Sequence, residues 1–470
     1  MMFKIAFRSI FRNNRRSIMT MLTIAVGVAA MLVFGAYAMY DVYVLQTSTV
    51  ERGGQLTVFR KGYLDFGTGN PAIWGIADYR SVLTLIRHDP VLTPLVAVVT
   101  PVQYLGGIAS NPANEESKTF FATGFVPADL SRMESWDEYH VGHDLVDNAG
   151  LDDNDPARGV IGIGFARMLG LCENLHLPNC PRLPADAPSQ TSAAPDLSSL
   201  PKHDFSGLAG PDTTLAAAHR DDSHATLDLL AATAGGAPNI VSMKIARVED
   251  QGNTEMDNSY AAMNLSLAQQ LVYGRGEHKV TGIVVQLHRT EDIPTARARL
   301  AALFREWHLD LEVRDFYEIN AYYGQALAFF KSVFSFIAVI IGVVVLFTVS
   351  NAMGMSVMER IDEIGTTRAL GVRRYKIRAQ FLIEGFLLGT MGATLGVALA
   401  FAATYAVNNA GLTWTPTGDS HAIPLKLYML GAIGFIAAVW LVLSLVATVA
   451  SFLPANRAAR LPIVDALRHE

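Results

Sequence analysis

The chain has 470 residues, 51% hydrophobic and 17% charged, with a formal net charge of −6. Its mean hydropathy of +0.27 is above that of an ordinary soluble globular protein, which excludes a wholly water-soluble reading. Nor does the acidic total leave a general footprint for nucleic acid, which is not among the expected partners.

Residues 1–17 are expected to form an amphipathic cytoplasmic helix. Phe3, Phe7, Ile10 and Phe11 recur at helical spacing, with Lys4, Arg8, Arg12 and Arg15 on the adjoining stripe, so the helix suits a membrane interface. A solvated basic tail is the alternative. Residues 18–40 read as transmembrane helix 1. A secretory signal ending at Ala36-Tyr37-Ala38 is the competing reading, but the apolar run exceeds the roughly 7–15 residues of a signal core. Met1 to Tyr40 contains no acidic side chain, which predicts that this end stays in the cytoplasm.

Residues 41–325 read as a large α+β extracytoplasmic domain. Strands are expected at Gln55–Arg60, Leu95–Leu105, Gly159–Gly164, Ile240–Val248 and Val280–Leu287, and helices at Ala77–His88, Phe165–Leu171, Ser266–Val272 and Ile293–Trp307. From about 181 to 238 the composition turns to Pro, Ser, Ala, Asp and His, which predicts a flexible insertion with a short helix near Thr226–Ala232. The only cysteines, Cys172 and Cys180, lie in this domain. A disulfide between them fits an oxidising periplasm, and two unpaired thiols are the alternative. His140, His143, His203, His219 and His224 sit on irregular polar segments and make a poor metal set, while Asp147, Asp152, Asp153 and Asp155 read as a solvated acidic loop.

Transmembrane helix 2 is expected over 326–355, a cytoplasmic loop over 356–380, helix 3 over 381–407, a short periplasmic loop over 408–426, helix 4 over 427–453 and a cytoplasmic tail over 454–470. Arg360, Arg368, Arg373, Arg374, Lys376 and Arg378 crowd the middle loop, whereas 408–426 carries only Asp419 and Lys426, so the positive-inside rule puts both termini in the cytoplasm. The predicted architecture is an α-helical membrane protein with four spans and a large domain inserted between the first two. Gly385 with Gly389, and Gly392 with Gly396, repeat at the spacing that lets helices approach closely, with a dimer face as one use. Phe329, Phe330, Phe334 and Phe336 read as lipid-facing, or as the lining of an apolar path between the spans.

The middle loop, Met358-Glu-Arg-Ile-Asp-Glu-Ile-Gly-Thr-Thr-Arg-Ala-Leu-Gly371, reads as a short helix held between two spans. Ile361, Ile364 and Leu370 offer an apolar face, Glu359, Glu363 and Arg368 a charged one, and Gly371 suits its C-terminus. In this loop the sequence resembles the MacB-like and FtsX-like permeases of ABC transporters, with Glu359, Arg360, Glu363, Ile364, Gly365, Arg368, Ala369, Leu370 and Gly371 in register with the family's pattern. Asn351-Ala-Met353, Glu384, Pro454-Ala-Asn-Arg457 and the Ala6–Arg16 stretch support the resemblance. In the outer domain Val160–Gly170 and Asp257–Gln270 resemble the family more loosely, and the insertion after Cys172 departs from it.

The resemblance implies an inner-membrane permease without catalytic residues, energised by a separate ABC-type ATPase, two per complex, docked on the 359–371 helix. It also implies a second permease copy or paralogue, with a periplasmic adaptor and an outer-membrane duct as further partners. No Gly-Lys-Ser or Gly-Lys-Thr occurs in these residues, so ATP and Mg are assigned to the partner and no cofactor to this chain. Three functions remain open: mechanotransmission export, release of lipoproteins from the membrane, and a scaffold regulating a cell-wall hydrolase.

Overall fold

The computed structural model describes residues 14–114, 116–141, 150–177, 225–251, 254–274, 276, 278–415, 423–429 and 431–460. The expected amphipathic helix up to Asn13 and the tail beyond Arg460 lie outside the described residues.

Among the described residues, four helices are long and apolar enough to cross a membrane. The first, α1 (Asn14–Gly53), has 40 residues. At about 1.5 Å per residue it extends roughly 60 Å, about twice a hydrocarbon core of about 30 Å. The helix therefore continues past Tyr40, because nothing breaks it before the Gly53-Gly54 pair and its outer half gains partners on the inserted domain. Val42 and Leu45 pack against that domain's core and Val50 is fully buried. Gly54 ends the helix in the left-handed region, at φ +63°, with its N–H on the Val50 carbonyl at 2.9 Å.

The inserted domain carries, in chain order, β1 (Leu56–Arg60), α2 (Tyr79–Arg87), β2 (Val96–Asn111), β3 (Glu116–Phe125), α3 (Pro127–Glu134), β4 (Arg158–Gly162), α4 (Ile163–Met168), β5 (Thr226–Ala232), β6 (Pro238–Glu249), β7 (Tyr260–Asn264), α5 (Leu265–Tyr273), β8 (Gly282–Leu287), α6 (Ile293–Glu306) and β9 (Leu311–Asp315). The nine strands form one sheet in the order β3-β7-β4-β6-β5-β2-β8-β1-β9. The last four positions are a double split βαβ unit: β1-α2-β2 and β8-α6-β9, every neighbouring pair antiparallel. One core lies under its two helices, where Leu56, Val58, Ile283, Val285 and Val313 alternate along the strands and meet Val82, Ile86, Leu300 and Leu303. This half stands on α1 and feeds the second span, while the rest of the sheet builds a second core around Phe120, Ile161, Phe165, Leu229, Met243 and Met263.

Thr226–Ala232 is a strand, not a short helix. Leu227, Leu229 and Ala231 are buried on alternate positions, and the segment pairs antiparallel with β6 from Thr226↔Lys244 to Ala232↔Pro238. Seven residues of period-2 pattern find both neighbours in the sheet, and that pairing outweighs the helix propensity of Leu and Ala. The polar insertion thus ends before Ala225, and residues 178–224 lie outside the described residues.

The membrane half continues with α7 (Ala321–Met358), α8 (Ile361–Ala369), α9 (Arg374–Asn409), α10 (Ile433–Ala450) and α11 (Phe452–Arg460). Between α9 and α10 a small two-stranded ladder pairs Thr413–Trp414 with Ile423–Pro424. The fourth helix begins at Ile433 rather than Leu427. Asn408 holds Leu427 out of helix by accepting its N–H at 2.8 Å and donating to its carbonyl at 3.1 Å. Helix α9 lies centrally, and its glycines explain how. A Cβ at Gly389 would sit 2.8 Å from the Ala447 methyl, one at Gly392 2.9 Å from Ile24, and one at Gly396 2.6 Å from the Ala25 carbonyl oxygen. Gly385 similarly abuts Ser451. All four glycines face helices of their own chain, two towards α1 and two towards α10 and the turn after it.

Candidate functional site

Helix α7 runs 38 residues from the inserted domain to the opposite end of the bundle, where Glu359 and Arg360 turn the chain into α8. Asp362 and Glu363 occupy the first turn and Arg368 the last, the charge order that complements the helix dipole. At the end of α8, Gly371 at φ +89° donates to the Arg368 carbonyl at 3.0 Å and Val372 to Thr367 at 3.3 Å, a Schellman cap that needs glycine in the left-handed position.

Ile361, Ile364 and Gly365 are buried against the bundle, where Ile364 joins the core with Val357, Ile377 and Phe381. Leu370 does not share this face; it is 86% exposed. It lies nine positions beyond Ile361, about two and a half turns, and so points to the opposite side. Away from the bundle the helix presents Asp362, Glu363, Thr366, Ala369 and Leu370.

Beneath α8 a charged pair is buried in the bundle. The Arg360 guanidinium lies 3.4 Å from the Glu384 carboxylate on α9, and the two residues are only 9% and 4% exposed. Arg16 and Thr20 of α1, Met353 and Ser356 of α7, and Leu388 of α9 surround the pair, so three spans meet at the root of α8. Next to it, Arg16 pairs with Glu359 at 2.9 Å. The sequence marks Glu384 as part of the family resemblance, but not as Arg360's partner. The available signal was a carboxylate at the start of a long apolar run, which needs a counter-charge.

At the other end the two long helices are fastened to the inserted domain by polar contacts. Gln46 on α1 donates to Tyr139 at 2.9 Å and to Thr290 at 3.0 Å, and Tyr323 at the start of α7 donates to the Gln46 side-chain Oε1 at 3.3 Å. Gln286 of β8 donates to the Val50 and Met133 carbonyls, and Tyr43 stacks on Tyr139 with ring centroids 4.3 Å apart. Glu134 faces this junction. Burial pushes its carboxyl up to about 7, with Glu249 reinforcing the shift and Arg52 and Arg247 opposing it. Continuous helix thus runs from this junction to the root of α8.

Other sequence candidates fall elsewhere. Cys172 is disulfide-bonded, while Cys180 lies outside the described residues. His143, Asp147, His203, His219 and His224 are also outside them, and among the described residues no group of three or more His, Cys, Asp or Glu could hold a metal. Asp152 and Asp155 face Arg158 at 3.9 and 3.8 Å. Phe329 and Phe336 are exposed on α7, and Phe334 packs against Phe435 at 5.4 Å.

The fold and the α8 site together define a four-helix membrane protein with a large domain inserted between its first two spans. Residues 332–463 match the FtsX-like permease C-terminal family. It is 33% identical over 216 residues to the macrolide export ATP-binding/permease protein MacB of Shewanella sp. (strain W3-18-1), across 44% of this chain and 31% of that protein. It is 29% identical over 198 residues to the ABC transporter permease YknZ of Bacillus subtilis (strain 168), across 42% of this chain and 46% of that one. Among solved structures, the extracellular domain of a YknZ from Gram-positive bacteria matches across 56% of this chain at 14% identity, with a TM-score of 0.29. The chain spans less than half the length of either of these relatives.

Proposed function

We propose that this chain is the permease subunit of an ATP-driven ABC transporter, in which hydrolysis on a partner ATPase moves the inserted domain to export or extract a substrate. The observation that carries this reading is α8. Its buried side is anchored to three spans by Ile361, Ile364 and the Arg360–Glu384 pair, and its other side is exposed. A short helix so mounted passes the motion of a docked partner into α7, which continues through the bilayer to the inserted domain. The ATPase contributes ATP and Mg; this chain contributes the lever. The bacterial cytoplasmic membrane, with α8 on the cytoplasmic side, is the location that this reading requires.

The test is reconstitution of the full chain in lipid nanodiscs with its cognate ATPase. Glu363→Lys and Leu370→Asp alter the exposed side of α8 and leave its packed side alone, so folding should survive. Both are expected to weaken ATPase association at least tenfold and to abolish the permease's effect on hydrolysis. Unchanged association and hydrolysis in both variants would discard α8 as the docking element.

A further inference from the structure

In the double split βαβ half, the two helices do not close against each other. Between α2 and α6 lies a cleft of about 1060 Å³, at the upper end of the roughly 300–1,000 Å³ of small-molecule sites. Its base is apolar: Ile76, Val82 and Leu303 are buried there, with Leu85 and Leu309 half-buried on the walls, and Trp307 stands at the mouth, 61% exposed.

The charges around the cleft are largely satisfied internally. At one end Asp89, its side chain 3% exposed, accepts from Nε and Nη2 of Arg299 at 3.0 and 2.6 Å and from the Val91 and Leu92 N–H groups. The Arg299 guanidinium and these donors hold the Asp89 carboxyl below its usual range. At the other end Arg60 lies 3.8 Å from Asp310 and over the Trp74 ring. Asp78 accepts from Ser81, and Arg80 lies over the Tyr79 ring. Three guanidiniums thus face four carboxylates, counting Glu306. A polyanion would meet those carboxylates, and a polycation would meet arginines already engaged. An uncharged ligand disturbs neither pair and removes exposed Trp307 and leucine surface from water, which favours binding.

We infer that this cleft is a binding site for an uncharged, drug-sized amphiphile whose apolar body lies on Leu85, Leu303 and Leu309 under Trp307. The site belongs to the inserted domain and does not depend on the ATPase reading. One of its walls, α6, leads through β9 and the short helix Phe316–Ile319 into α7, so an occupant bears on the strand that precedes the second span.

The probe is N-phenyl-1-naphthylamine, an uncharged amphiphile whose emission rises in apolar surroundings, titrated into the full chain in nanodiscs with empty nanodiscs subtracted. A saturable component is expected, with tryptophan-to-probe energy transfer that Trp307→Phe reduces. Leu85→Arg should weaken it at least tenfold. Thr84→Trp, an exposed position that fills the cleft without touching the core, should do the same while leaving the melting temperature unchanged. The anionic analogue 8-anilinonaphthalene-1-sulfonate should bind at least tenfold more weakly. Equal or tighter binding of the sulfonate would overturn the assignment to uncharged ligands. No saturable component, or one indifferent to Thr84→Trp, would overturn the site itself.

Discussion

Removing one member of the Arg360–Glu384 pair should cost far more than removing both. At 3.4 Å the direct attraction is about 5 kcal/mol for an effective dielectric constant of about 20. Stripping water from each ion opposes this by several kcal/mol, so the pair as a whole adds little net stability. Whichever residue survives keeps its own desolvation cost without that attraction, and the penalty is then about 3–5 kcal/mol. Arg360→Met and Glu384→Met should each destabilise the membrane half by that amount, and the double variant should recover to within about 1–2 kcal/mol of the parent. The assay is a double-mutant cycle on unfolding in nanodiscs, joined to hydrogen exchange of the α8 amides, which should accelerate in the single variants alone. If the double variant loses the sum of the two single losses, the residues do not act as a pair and the anchoring argument for α8 fails.

Gly396→Val places a side chain where a Cβ already lies 2.6 Å from the Ala25 carbonyl oxygen, and should cost about 1–3 kcal/mol by thermal melting. Gly354→Ala on α7, where a Cβ meets nothing within 4 Å, should be neutral or stabilising by about 0.5–1 kcal/mol in the same measurement. Because Glu134 titrates near 7 when folded and near 4.5 when unfolded, its contribution to stability is full below about 4.5 and is lost as pH rises through 7. Glu134→Gln should therefore flatten the stability profile between those values, and a slope identical to the parent's would refute the burial argument. Maleimide labelling of the native chain without reductant should leave Cys172 unmodified, and prior reduction should expose it.

The span count was legible because roughly 20 consecutive apolar residues have few other uses. Helix α8 was legible for a local reason, since polar residues between two spans and Gly371 at its end describe a capped helix without reference to the rest of the chain. Errors arose where a remote partner decides. Thr226–Ala232 contains good helix formers and becomes a strand only because β6 and β2 stand on either side. Leu370 is apolar, yet the angle of the helix turns it away from the packed face. Strand β3 carries little local signal, since the alternation in Glu116–Phe125 is interrupted by Thr, Ala and Gly residues whose burial depends on neighbours distant in sequence.

The sequence alone determined four spans, a large inserted α+β domain, and a short helix displayed between the second and third spans, because these follow from hydropathy and local backbone preference. Only the tertiary structure decided that Arg360 and Glu384 share a buried site, that the four glycines join helices of the same chain, and that α2 and α6 stand apart over an apolar cleft. Each of those joins residues far apart in the chain, and their contact depends on how long helices and a nine-stranded sheet bring them together. Residue spacing alone carries no record of that distance.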